Sequence, residues 1–224
     1  IKAEWLGSGN KMGIAYSADF NADDRYELYW IPNTANNVDD AIRITPELGL
    51  GSDVVNWWPV HETQILAVFK QARLTALKLF QLADNDIANV TLHQSQFPLD
   101  AGTLGNSEFW FLSQQKLYVL TSPSDKLSPT QLNSYDAVGW VQKFPSSSGI
   151  GFETPEGYRA LTGTQSFAID KPVLDGIQCG QQSWLVRWKN QQAVISRYVD
   201  DRLIESVESA ALPRNLRCER QRSK

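Results

Sequence analysis

Short hydrophobic runs recur along the chain in pairs and in a fixed order, and that recurrence limits the fold more than any other feature. A first run reads Gly13-Ile14-Ala15-Tyr16-Ser17, then Ile65-Leu66-Ala67-Val68-Phe69, Phe109-Trp110-Phe111-Leu112, Gly149-Ile150-Gly151-Phe152 and Trp184-Leu185-Val186-Arg187-Trp188. A second run follows each: Glu27-Leu28-Tyr29-Trp30, Leu77-Lys78-Leu79-Phe80, Leu117-Tyr118-Val119-Leu120, Tyr158-Arg159-Ala160-Leu161 and Ala193-Val194-Ile195-Ser196. Aromatic and β-branched residues fill these runs, and Gly, Pro, Asn, Asp and Ser separate them, so they read as strands rather than helices. Anchored on Ile14, Ile65, Phe109, Ile150 and Trp184, the units are spaced by 51, 44, 41 and 34 residues.

A further short strand precedes the first run in several units, as in Glu4-Trp5-Leu6-Gly7, Val55-Asn56-Trp57-Trp58-Pro59 and Val138-Gly139-Trp140-Val141. A fourth follows the second run, as in Ala41-Ile42-Arg43-Ile44-Thr45 and Ile87-Ala88-Asn89-Val90-Thr91. Four strands per unit, at a period of about 40–50 residues, is what propeller blades produce. One such sheet cannot bury both of its faces alone, whereas a series of them buries the faces between neighbours. The expectation is an all-β chain forming a single small β-propeller of about five four-stranded blades, at roughly 1–50, 51–98, 99–135, 136–171 and 172–224. The competing architecture is a β-sandwich with irregular loops.

Composition removes several function classes. A net charge of −4 over 224 residues offers no basic face for nucleic acid. The basic tail, with Arg214, Arg217, Arg220, Arg222 and Lys224, reads as a solvated terminus. No apolar run reaches the length of about 18 residues that a spanning helix needs. The chain opens on Ile1 with no secretory leader, which reads as a processed protein or an excised domain. Two cysteines, Cys179 and Cys218, are too few for a metal site with the distant His61 and His93. They read as a disulfide clamping the C-terminal tail, with two buried free thiols as the alternative. A bond of that span could stabilise by up to about 4 kcal/mol. It would place the protein in an oxidising compartment, periplasmic or extracellular.

The stretch Trp5-Leu6-Gly7-Ser8-Gly9-Asn10-Lys11-Met12-Gly13-Ile14-Ala15-Tyr16-Ser17 resembles the opening of TolB-type propeller repeats. Tyr26-Glu27-Leu28-Tyr29 and Ile44-Thr45 resemble their close. A second unit repeats the pattern with Trp58-Pro59 and Leu66-Ala67-Val68-Phe69, so the likeness is strongest over residues 1–95. It implies a propeller that binds proteins, or the propeller sensor region of a membrane-anchored winged-helix regulator.

The sharpest local motif is Asp19-Phe20-Asn21-Ala22-Asp23-Asp24-Arg25-Tyr26-Glu27. Oxygen side chains at alternate positions, then a carboxylate four residues on, are what a Ca²⁺ loop needs. Asp19, Asn21, Asp23 and Glu27, with the Arg25 carbonyl, are the candidate ligands. This order also resembles the calcium-binding hairpin loops of integrin-type propeller repeats, with Asp24 standing where that pattern has Gly. The alternative is a solvated, Asp-rich hairpin turn.

Enzyme motifs are absent: there is no Gly-x-Ser-x-Gly elbow, phosphate loop or His-Glu-x-x-His helix. His61 and His93 read as turn or surface histidines. Asp53, Asp100, Asp136 and Asp175 recur near the starts of units and are the acids a glycosidase could use, but they read as turn-capping residues repeated because the unit is repeated. The eight tryptophans read as packing between blades, Trp184 and Trp188 included. The expected function is a non-catalytic, extracytoplasmic binding or sensing propeller that meets a protein partner or small ligand at one end of its channel. A carbohydrate-binding lectin or small glycosidase is the alternative.

Overall fold

The protein is described by a computed structural model that covers residues 2–7, 12–19, 22–35, 37–45, 52–82, 87–105, 107–123, 127–145, 147, 149–163, 165–199, 202–213 and 216–218. Five four-stranded antiparallel sheets follow one another along the chain, each built from consecutive strands. This is the blade content of a five-bladed propeller and not the two sheets of a sandwich. Among the described residues no α-helix occurs, and the one helical turn is the 3₁₀ segment Val38–Asp40. The chain divides into two compact units, Ile1–Gln114 with Tyr118–Asn133, and Gln115–Leu117 with Ser134–Lys224.

In the first unit, β1 (Lys2–Leu6), β2 (Gly13–Ala18), β3 (Glu27–Pro32) and β4 (Ile42–Arg43) form the first sheet. The second comprises β5 (Ser52–His61), β6 (Gln64–Gln71), β7 (Leu74–Leu82) and β8 (Ile87–Ser95). The third contains β9 (Asp100–Gly105), β10 (Glu108–Ser113), β11 (Lys116–Thr121) and β12 (Thr130–Asp136), of which Lys116–Leu117 and Ser134–Asp136 group with the second unit. Strand β6 explains how they stack. It is buried from Gln64 to Phe69, which an alternating one-sided strand could not be. Ile65, Ala67 and Phe69 point into one core, with Leu28 and Trp30 of β3 and Trp57 of β5. Leu66 and Val68 point into another, with Phe109 and Phe111 of β10. Successive side chains on a strand leave by opposite faces, so one continuous apolar run serves both cores.

Small residues make room for large ones in the first core. Ala15 lies in register with Trp30, and a Cβ on Gly13 would stand 2.4 Å from both the Trp30 ring and the Ile31 carbonyl. The rings of Phe69 and Phe80 close the same core edge to face at 5.7 Å.

In the second unit, β13 (Val141–Lys143), β14 (Ile150–Thr154), β15 (Gly157–Thr162) and β16 (Gln165–Ile169) form the fourth sheet. The fifth sheet is β17 (Asp175–Cys179), β18 (Gln182–Lys189), β19 (Gln192–Val199) and β20 (Arg202–Ser209). Phe144, Phe167, Val173, Leu185 and Tyr198 form the core between these two. A disulfide joins Cys179, the last residue of β17, to Cys218 beyond β20, with 5.5 Å between the Cα atoms. The bond therefore closes a loop around the three later strands of its own sheet.

Two sequence expectations change. Asp136 ends β12, the last strand of the third sheet, rather than opening a unit. Trp188 is 49% exposed, so only Trp184 of that pair is partly buried. Trp5 is 67% exposed on β1. Trp188 shares the face of the buried Val186 two residues earlier, but it is the penultimate residue of β18, next to the turn into β19, where the strand is exposed.

Candidate functional site

A cleft of about 730 Å³ opens in the first unit, lined by Val55, Val68, Lys70, Ala72, Arg73, Leu74, Thr75, Gln96, Pro98, Leu99 and Asp100. That volume lies in the usual range for small-ligand sites, about 300–1,000 Å³. Local geometry assembles it from three segments. The register of β5 on β6 steps from Val54↔Phe69 to Asn56↔Val68, leaving Val55 unpaired in a bulge and 56% exposed. Next, β6 turns into β7 through Ala72-Arg73, closed by the pair Gln71↔Leu74, with Ala72 at φ 50°. Finally the Ser95 hydroxyl accepts the Phe97 amide at 3.0 Å, which curls the chain after β8. Pro98 and Leu99 then face the cleft.

Burial divides the cleft into floor, walls and rim. Val68 and Leu99 are buried core residues and form an apolar floor. Val55 and Leu74 are exposed apolar walls, and Phe97, between two lining residues in the chain, is 60% exposed. Leaving such side chains in water forgoes burial energy, and adjacent ones mark a contact surface. Lys70 and Arg73 stand on the rim, and among the described residues neither is held in an ion pair. Lys70 lies in register with Asp53, whose Oδ1 accepts the Tyr26 amide at 2.8 Å instead. Asp100, the one acid on the rim, has a partner of its own.

The side chains of Asp19 and Asp23 are bound to backbone amides of residues 23–25. Both carboxylate oxygens of Asp19 accept backbone amides, Oδ1 from Asp23 at 3.2 Å and Oδ2 from Asp24 at 3.0 Å. Asp23 Oδ1 accepts the Arg25 amide at 3.0 Å. Asp24 has φ 60°, so the position where the integrin-type pattern has Gly is left-handed here too, and Asp is among the residues that tolerate it. Glu27 sits on β3, where it pairs with Arg43 and accepts the Tyr29 hydroxyl. Burial first, and then that hydrogen bond, push the Tyr29 phenol up to about 12. Asn21 lies outside the described residues. Among the described residues no group of three or more His, Cys, Asp or Glu side chains is placed to hold a metal ion.

The histidines sit in strands. His61 is the last residue of β5, beside the Glu62-Thr63 turn. His93 lies within β8, not in a loop, with Nε2 2.7 Å from Ser113 Oγ. Its ring packs 5.3 Å from Phe111, which stacks on Tyr118 at 4.7 Å. Burial lowers the His93 pKa below 6.5. A serine beside a neutral histidine has the polarity of a nucleophile and base, but Ser113 is buried and no carboxylate orients the ring among the described residues. Asp175 bonds the amide of the next residue, Gly176, at 2.8 Å, and Asp53 the Tyr26 amide. Both act as backbone caps.

Sequence reasoning missed the cleft. Its only early trace was the apolar Val55, Leu74 and Phe97 standing beside polar turn residues.

No family model matches the chain, and no curated protein matches it. Solved structures resemble it distantly. A Mycobacterium tuberculosis puromycin-hydrolyzing peptidase shares 11% identity at a TM-score of 0.47, over 93% of this chain and 38% of that one. A prolyl endopeptidase shares 9% at 0.38, over 94% and 42%. Kluyveromyces lactis Hsv2 shares 10% at 0.41, over 82% and 57%. The chain spans less than two thirds of the length of each. These likenesses are too weak to carry an argument about function.

Proposed function

We propose that this chain is a non-catalytic binding module acting outside the cytoplasm, and that its ligand site is the cleft bounded by Val55, the Ala72-Arg73 turn and the segment Gln96–Asp100. One observation carries the reading: an apolar floor and walls meet two cations that have no ion-pair partner among the described residues, on a chain whose net charge is −4. Burying an apolar ligand against Val68 and Leu99 supplies affinity, and the rim charges supply orientation. The disulfide between half-buried Cys179 and exposed Cys218 supports an oxidising compartment. The TolB-type likeness of the repeats supports a protein-docking or sensor role within a larger assembly.

Fragment screening by amide chemical-shift mapping tests the reading. Binders should shift Val68, Leu74, Thr75 and Leu99 together, and Thr75→Trp, which fills the cleft, should abolish those shifts. Binders that map elsewhere, or that survive Thr75→Trp, would overturn it.

A further inference from the structure

We infer that the cleft takes a peptide segment carrying a carboxylate next to an apolar side chain. This rests on the reading of the cleft as the ligand site and names the chemistry that site selects. The two rim cations differ in what they offer. Arg73 presents a planar fork that matches a carboxylate through two parallel hydrogen bonds. Lys70 adds a mobile point charge at the end of β6, two residues before that turn. Both are exposed and free of ion pairs among the described residues, so neither must break an internal bond to meet a ligand.

Below the rim the surface is apolar, from the walls Val55, Leu74 and Pro98 down to Leu99 and Val68. A ligand with charge alone would leave that surface wet, and one with only apolar groups would leave both cations unused. An amphipathic anion satisfies both. A peptide is favoured over a single acyl chain by the mixed polar and apolar lining of the cleft. The cleft is lined from three separate segments, with polar groups at Thr75 and Gln96 available to backbone amides and carbonyls.

The test compares two blocked peptides, acetyl-Leu-Glu-Val-Asp-Leu-amide and its Gln/Asn counterpart, by calorimetry with the intact chain. The acidic peptide should bind at least about tenfold tighter, and the difference should shrink as salt rises. Lys70→Gln and Arg73→Gln, both exposed and expected to leave thermal stability unchanged, should bring the acidic peptide down to the level of the neutral one. Equal binding of the two peptides, with shifts still mapped to the cleft, would overturn the ligand class and leave the cleft as the site. A preference that survives both substitutions would overturn both readings. Failure of both peptides to bind, with decanoate binding in an Arg73-dependent way, would replace the peptide with a lipid acid.

Discussion

Removing the Cys179–Cys218 bond should cost the fifth sheet a large part of its stability. The bonded residues are 39 apart in sequence. With n about 40, the loop-closure expression gives an entropy change near −13 cal/mol/K, or about 4 kcal/mol at 25 °C. That is an upper figure, because the native state also changes. Cys218 and Leu212 are exposed, so the tail buries little and regains backbone freedom when cut loose. At about 1–2 kcal/mol per residue released, one residue of regained freedom lowers the expected loss to about 2–3 kcal/mol. For a chain of this length each kcal/mol moves the melting temperature by roughly 2–4 °C, so a fall of roughly 4–12 °C is expected. The perturbation is the double variant Cys179→Ala/Cys218→Ala, read by urea titration. Trp184 and Trp188 on β18 supply a fluorescence signal from the affected sheet, and far-UV dichroism reports all five. Because Cys218 is exposed, reductant should bring the wild type to the midpoint of the variant and leave the variant itself unmoved. A loss below about 1 kcal/mol with an unchanged denaturant slope would refute the reasoning, since it would mean the unfolded chain gains almost no freedom when the loop opens.

Three further outcomes are expected. Burial holds the folded His93 pKa below the unfolded value of 6.5, so the unfolded state takes up a proton first as pH falls. Its contribution to stability is therefore present above pH 6.5 and is lost below it, and His93→Gln should flatten the stability profile between pH 7 and 5. Parallel profiles for the two proteins would refute this. Gly13→Ala should destabilise by at least about 2 kcal/mol, because the new Cβ meets a backbone carbonyl and the Trp30 ring that have no room to withdraw. A melting temperature within a degree of wild type would show that the first sheet can shift. A calcium chelator should leave the melting temperature unchanged, since both Asp19 oxygens already serve backbone amides. A chelator-induced fall that Asp23→Ala abolishes would instead establish the Asp19 segment as a cation site.

The strands themselves were legible in the sequence. Alternation in Ile14-Ala15-Tyr16-Ser17 and the unbroken run Ile65–Phe69 state which strands bury one face and which bury two, because a strand's side chains leave on opposite sides whatever lies beyond. Pairing those runs with a strand before and a strand after was enough to anticipate sheets of four, and the two cysteines could be paired by default. Acid positions read by recurrence were less secure: Asp136 matched the period yet closes a sheet, because an edge strand with exposed residues carries no alternation to announce it.

The cleft was a matter for tertiary structure alone. Val55 reaches it only because β5 slips one residue against β6, and a bulge depends on the register between strands, not on either strand's composition. Lys70 and Arg73 look in the sequence like any charges beside a turn. What sets them apart is that Asp53, opposite Lys70, spends its carboxylate on Tyr26, a residue 27 positions away in the chain. His93 and Ser113 likewise meet across 20 residues because two sheets share one core. Local patterning decides which face of each strand is buried, and only the packing of one sheet on the next decides which polar groups are left without a partner.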